Sequence, residues 1–257
     1  MFGLRLKWLG CACFEMDFGG ITVVSDPWIT VNSKNDLTWK HVEKCDYITL
    51  THSHHDHIMD IPALMEHFPA YLMCGEQTAM PLMKWANVNP MRMYPMNPDL
   101  ELDMDGVKIK ALYGRHTPLQ GNARERREIW QTHKIHSQSP ELLELGWLGD
   151  MEYRNYLYTM PNGTKVLMWG SKIARPDQRN ILLREKPDIA IVQVTGANKA
   201  EDMAEICKQM DCKIVIPHHI DYPGDYSRQM GNLRDALAEI APEISFIVPE
   251  YNQWIEV

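Results

Sequence analysis

Apolar and polar positions along this chain of 257 residues fall into two strand-rich halves, each followed by helical stretches. In the first half, short alternating or β-branched runs predict strands at 4–9, 13–18, 21–25, 47–51, 71–74, 92–94, 100–102 and 107–113. Gly19-Gly20 sits between two of them as a hairpin turn. The second half predicts strands at 156–159, 166–169, 189–194, 213–216 and 245–248, with Asn162-Gly163 as another hairpin turn. Helical spacing of apolar residues covers 58–67, 178–185, 199–210 and 228–240, and Pro217 and Pro242 punctuate the pattern. Strands with helices outside them predict an α/β protein. The expected arrangement is a four-layer αββα sandwich: two mixed sheets face to face, with helices on both outer sides.

One stretch breaks from ordinary patterning. In Thr51-His52-Ser53-His54-His55-Asp56-His57, five of seven residues are metal-ligand types, and four take the spacing His-x-His-x-Asp-His. The run begins where the apolar strand Tyr47-Ile48-Thr49-Leu50 ends. Side chains two apart share a face of extended backbone, so His52 and His54 aim at one point while Ser53 turns away. Downstream, Ile58, Ile61, Leu64 and Met65 have helical spacing, which sets Asp56 and His57 at a helix start. An aspartate there also serves as an N-cap, so Asp56 alone says little. Crowded imidazoles repel when protonated and gain most when they share a cation, so the cluster predicts metal binding, with two metals in a hydrolytic site.

These residues resemble the metallo-β-lactamase superfamily, whose motif is this turn, and the resemblance covers most of the chain. Trp8-Leu9-Gly10, the hairpin at 14–25 and Asp26-Pro27-Trp28 are similar to the family's opening, in which strands lead to an aspartate behind the metal site. Ala111 to His116 is a strand ending in a histidine and resembles the third motif, implying His116 as a further ligand. After the strand before Pro217, the run His218-His219-Ile220-Asp221 is similar to the last motif. The family's ligand lies two residues past that proline, so the role passes to His219, with His218 as its neighbour.

The resemblance thus implies a first site of His52, His54 and His116, with a fourth tetrahedral position left for water. Asp56, His57 and His219 make the second, and Asp56 and His219 are the expected catalytic pair. A cation lowers the pKa of its water to about 7, and two metals about 3.5–4 Å apart hold hydroxide and stabilise the oxyanion together. Asp26 is expected to orient a ligand from behind. One departure concerns charge: many members carry Gly-Asp-Thr with a bridging aspartate where this chain has Gly170-Ser171-Lys172. A serine hydroxyl is a poor zinc ligand, although a subclass of zinc β-lactamases has serine there and still holds two metals. One or two divalent ions are therefore expected, zinc first, then manganese or iron.

Composition brings the picture down to one compact enzyme domain spanning 1–257. The chain is 45% hydrophobic and 23% charged, near globular averages, and candidate ligands from both halves require those halves to pack. A net charge of −8 argues against nucleic acid as a partner. No apolar run reaches the roughly 20 residues of a membrane span, and no secretory pattern is visible at the start, so the expected location is cytoplasmic. Of the six cysteines, Cys13, Cys45, Cys74 and Cys212 lie in or beside apolar runs and read as buried and reduced; Cys11 is left open.

The stretch at 117–155 is the least regular and follows His116, so a lid that sets specificity is expected there. Arg124 and Arg127 would suit a substrate phosphate or carboxylate, yet Glu125 and Glu128 interleave with them as on a solvated helix face. His133 and His136 offer extra ligands but read first as surface histidines. Trp28, Trp169 and Lys172 flank site motifs and are pocket candidates. Within the superfamily, the chain resembles the branch that includes ascorbate-phosphate lactonase and phospholipase D-type phosphodiesterases. That implies hydrolysis of an ester, lactone or phosphodiester of a small molecule; a homo-oligomer is compatible. Two other readings remain: a mononuclear iron dioxygenase, since persulfide dioxygenases share the fold, and a non-catalytic metal-binding member.

Overall fold

The computed structural model describes residues 3–116, 123–173, 176–195 and 198–257. Its first half runs β1 (Arg5–Gly10), β2 (Cys13–Asp17), β3 (Thr22–Ser25), β4 (Tyr47–Thr49), α1 (His55–Ile58), α2 (Ile61–His67), β5 (Tyr71–Gly75), α3 (Glu76–Ala86) and β6 (Met93–Met96). There follow β7 (Glu101–Met104), β8 (Val107–Gly114), α4 (Ala123–Thr132), α5 (Pro140–Gly149), β9 (Tyr153–Thr159), β10 (Lys165–Trp169) and α6 (Pro176–Glu185). The chain closes with β11 (Ile189–Gln193), α7 (Ala200–Gln209), β12 (Ile214–His218), α8 (Ser227–Ile240), β13 (Ser245–Phe246) and β14 (Trp254–Glu256).

Two seven-stranded sheets result, in the orders β14-β1-β2-β3-β4-β5-β6 and β13-β12-β11-β10-β9-β8-β7. Each is mixed: β3 to β6 and β10 to β13 pair in parallel, and the remaining neighbours are antiparallel. Alternation along the central strands explains the layers. On β10 and β11, Val166, Met168, Ile189 and Ile191 enter the core between the sheets, while Leu167, Trp169, Ala190 and Val192 face a second core with α6, α7 and α8. A third core joins the outer face of the first sheet to α2, α3 and α5. The four-layer αββα sandwich is the observed architecture. Among the described residues, no helix is long and apolar enough to cross a membrane.

Four features differ from the pattern-based expectation. The helix expected over 58–67 is two helices, because Asp60 between them turns its carboxylate to the Ile29 and Thr30 N–H groups at 2.6 and 3.0 Å. That bond anchors the loop after Asp26. The stretch taken as irregular contains α4 and α5; its residues 117–122 lie outside the described ones. Helix α3 carries Pro81 in its interior, which masks it as a helical pattern, and β14 is too short to show alternation.

The metal-ligand run hangs from β4, and β4 is tied to the opposite sheet. The Arg154 N–H donates to the Thr51 carbonyl at 2.8 Å, the Tyr156 hydroxyl to the Leu50 carbonyl at 3.1 Å, and Thr49 and Tyr158 share a hydroxyl contact of 2.7 Å. The Arg154 guanidinium is itself buried against Glu152 at 2.9 Å, and that carboxylate also accepts the Thr78 N–H at the start of α3. Removing one partner of a buried pair strands the other charge. Glu152→Ala is therefore expected to lower unfolding free energy by about 3–5 kcal/mol in urea titration. A loss below about 1 kcal/mol would show that the pair does not hold the sheets together.

Candidate metal centre

The candidate ligands lie where strands stop. Asp26 follows β3, the histidine run follows β4, His116 follows β8, Ser171 follows β10 and His219 follows β12. Ligand sites in α/β sheets form at such carboxyl ends, where side chains of different strands converge without breaking the ladders. Cys11, Asp26 and His219 have φ of 49°, 40° and 59°, a left-handed backbone that non-glycine residues hold only when their surroundings impose it.

Two donor groups form. His52, His54 and His116 each offer a ring nitrogen, and these atoms lie within 4.8 Å of one another. The same span encloses donors from Asp56, His57, His219 and Cys11. The groups adjoin, with the His52 and His57 rings 4.0 Å apart between centroids. Within the first, His52 Nε2 and His54 Nδ1 are 3.1 Å apart; within the second, His57 Nε2 and His219 Nε2 are 3.2 Å apart. Buried ring nitrogens facing each other this closely must share a proton or a cation. The donor set therefore fits divalent metal.

Behind four of the rings stands a partner that fixes which nitrogen faces inward. Thr51 donates its hydroxyl to Asp26 Oδ2 at 2.8 Å and so is left to accept from His52 Nδ1 at 3.0 Å. His57 Nδ1 faces Asp26 Oδ2 at 3.2 Å, and His219 Nδ1 donates to the Tyr222 carbonyl at 2.7 Å. His54 is turned the other way, its Nε2 lying 3.3 Å from Asp150 Oδ1. Outer partners of this kind set the tautomer and raise ligand basicity. Electrostatics agree. Burial and the surrounding imidazoles push His52 well below the usual histidine range, and burial with the His57 charge lowers His219. Burial would lower His57 too, but the Asp26 carboxylate reverses that. Burial opposes ionisation of Asp56, yet His57 and His219 hold it below the usual carboxylate range. Burial and the Asp56 carboxylate raise the Cys11 thiol, which a coordinated cation would deprotonate.

The structure brings all six expected ligands together and separates other candidates from them. Asn155 donates to the Ser171 hydroxyl at 2.8 Å, and His218 turns away, its Nε2 3.4 Å from the Trp169 carbonyl. Over the histidines lies a cavity of about 270 Å³, completed by Gln193, Thr195, Pro223 and Tyr226. Trp28, Trp169, Lys172, Arg124 and Arg127 are not among its described lining residues. Trp28 packs instead on Tyr222, Trp169 donates to the Ser171 carbonyl, Arg124 pairs with Glu128 on the exposed face of α4, and Arg127 lines a separate cavity with Trp147.

His136 is a correction as well: it is buried rather than at the surface, because its Nδ1 donates to the Leu142 carbonyl at 2.6 Å and its Nε2 accepts the His55 N–H at 3.0 Å. With both nitrogens engaged it has none left for a metal, although His55 and His133 lie close by. Spacing alone does not reach Cys11, Thr51, Asn155 or Asp150. Thr51 borders the motif, but nothing in the sequence pattern links Asp150 to His54.

Against this geometry, a family model described as "Beta-lactamase superfamily domain" matches residues 5–219. The chain belongs to the β-lactamase superfamily. A UPF0173 metal-dependent hydrolase of Cupriavidus metallidurans is 28% identical over 205 residues, covering 75% of this chain but 63% of that protein. Another, from Lawsonia intracellularis, is 22% identical over 249 residues and 95% of both chains. Among solved structures, Igni18, a metallo hydrolase from Ignicoccus hospitalis, matches with a TM-score of 0.69 at 16% identity over 98% of this chain and 97% of its own. The superfamily fold of this chain is thus shared across very low identity.

Close packing at one glycine offers a test of the first donor group. A Cβ on Gly149 would fall 2.5 Å from His54 Cδ2 and 2.9 Å from its Nε2. Gly149→Ala is expected to displace that ring and lower metal affinity by about 10–100-fold, read as metal retained after dialysis against graded chelator. Unchanged retention would show that His54 holds no metal.

Proposed function

We propose that this chain is a metal-dependent hydrolase of a small carboxylic ester or lactone, with zinc as its metal and a cytoplasmic setting. The observation that carries this reading is a cavity above clustered donors whose remaining wall is uncharged: Gln193, Thr195, Pro223 and Tyr226 complete the lining, and no arginine or lysine is among the described lining residues. A phosphodiester would gain from such a cation, so an acyl substrate is favoured over it. The relatives' name, metal-dependent hydrolase, supports the reaction class. The six free cysteines, all buried, suit a reducing compartment.

His52, His54 and His116 would hold one ion, and Asp56, His57 and His219 a second. Bound there, the ions would supply an activated water and an electrophilic centre for the charge that develops on the substrate oxygen. The protein's own groups do the rest. Asp56 is kept ionised, and its Oδ2 lies 3.8 and 3.9 Å from the Nε2 atoms of His57 and His219, which sets a negative charge among the donors of the second ion. Gln193, whose amide donates to Thr195 at 2.7 Å, and Tyr226 offer neutral hydrogen-bonding groups to orient a carbonyl. Trp130 packs on His54 and donates to Asp150 at 2.6 Å, so α4 and α5 wall one side of the site. That wall supports reading 1–257 as one domain with a lid at about 117–155.

A second reading has its own observation. Two imidazoles and a carboxylate, His57, His219 and Asp56, are also the ligand set of iron oxygenases. It ranks lower because it leaves His52, His54 and His116 without a task. Iron at one equivalent with oxygen uptake would favour it. For the hydrolase, chelation is expected to reduce turnover of a panel of esters and lactones to background, with recovery on adding zinc. His116→Ala should cost more than the roughly 10–100-fold typical of an outer hydrogen-bond partner. Metal-free protein hydrolysing at an undiminished rate would overturn the proposal.

A further inference from the structure

The loop between β1 and β2 contributes a sulfur to the second donor group. Cys11 Sγ lies 3.2 Å from His219 Nε2 and 3.4 Å from its Nδ1, is fully buried, and falls within the span that also encloses Asp56 and His57. A buried thiol beside one histidine would be unremarkable packing. Here the backbone is bound on every side. The Cys11 N–H donates to both Asp221 carboxylate oxygens at 3.0 and 3.2 Å, and its carbonyl accepts from the His219 N–H at 2.9 Å and from Trp8 Nε1 at 3.0 Å. These bonds impose the left-handed backbone at Cys11 and at His219 together. Asp221 is anchored in turn by Asn32 and by the Tyr251 hydroxyl, at 3.0 and 2.8 Å. Neighbouring Cys13, two residues on, lies instead in the apolar core of the first sheet.

Charge gives the thiol a task. Ser171 is bonded to Asn155, and among the described residues Asp56 is the one carboxylate in the two donor groups. A thiolate would add a second negative charge from a different part of the chain.

We infer that Cys11 is a ligand of the second metal ion, completing with Asp56, His57 and His219 a four-donor site suited to zinc. The inference rests on the metal-dependent reading and deepens it. Thiolate selects zinc over manganese, and four protein ligands fill a tetrahedral site, which leaves the open position on the three-histidine ion.

The test is cobalt substitution of the metal-stripped full chain, followed by near-ultraviolet absorption and by cobalt counted per chain. Wild type is expected to bind about two cobalt ions and to show an intense thiolate-to-cobalt charge-transfer band. Cys13→Ser should keep the band. Cys11→Ser should lose it and weaken the second cobalt by more than the roughly 10–100-fold typical of an outer hydrogen-bond partner, while Cys11→Asp should keep the second ion without the band. Two cobalt ions bound by wild type with no such band, or a band that persists in Cys11→Ser, would overturn the inference and leave the hydrolase reading intact. Failure of wild type to bind cobalt at all would overturn both.

Discussion

Everything at this site depends on one arrangement: buried ring nitrogens brought face to face at the floor of a cavity. The contacts between His52 and His54 and between His57 and His219, at 3.1 and 3.2 Å, are too close for unshared lone pairs. Full protonation is opposed by burial and by the mutual repulsion of the rings, as the depressed His52 and His219 show. Coordination resolves both problems at once, since each cation neutralises several lone pairs without adding protons. Asp26 and Asp150 then serve as the outer acceptors that keep the rings turned inward.

The fold supplies this arrangement because strand ends are rigid and loops after them are free to specialise. Thr51 belongs to the chain leaving β4, yet its carbonyl is held by Arg154 from the opposite sheet and its hydroxyl by Asp26 after β3. The histidine run is thereby fixed from two layers before it begins. Strain appears where the site demands it, at Cys11, Asp26 and His219, and each of these residues is buried and hydrogen-bonded on its backbone or side chain. Packing on both faces of each sheet leaves little room for the loops to relax.

The layers, most strand positions and the four candidate donors of the His-x-His-x-Asp-His turn were readable from the chain, because period-two alternation and that spacing are local signals, whereas His116 and His219 were reached only through the resemblance to the superfamily's later motifs. What escaped is non-local. Asp150 meets His54 across nearly a hundred residues, and Cys11 meets His219 across more than two hundred. Helix α3 was hidden by Pro81, and the helices at 123–132 and 140–149 by mixed charges and by the turn residues between them. Arg124 and Arg127 looked suited to anions by type, but helix α4 directs one to solvent and the other to a separate cavity. Residue type alone does not give direction.

The most direct measurement is anomalous diffraction at the zinc edge from crystals of the full chain grown with zinc. Two neighbouring peaks about 3.5–4 Å apart are expected, one bonded to His52, His54 and His116 and the other to Asp56, His57 and His219. No anomalous density between these side chains, or density bonded to other residues, would contradict the account.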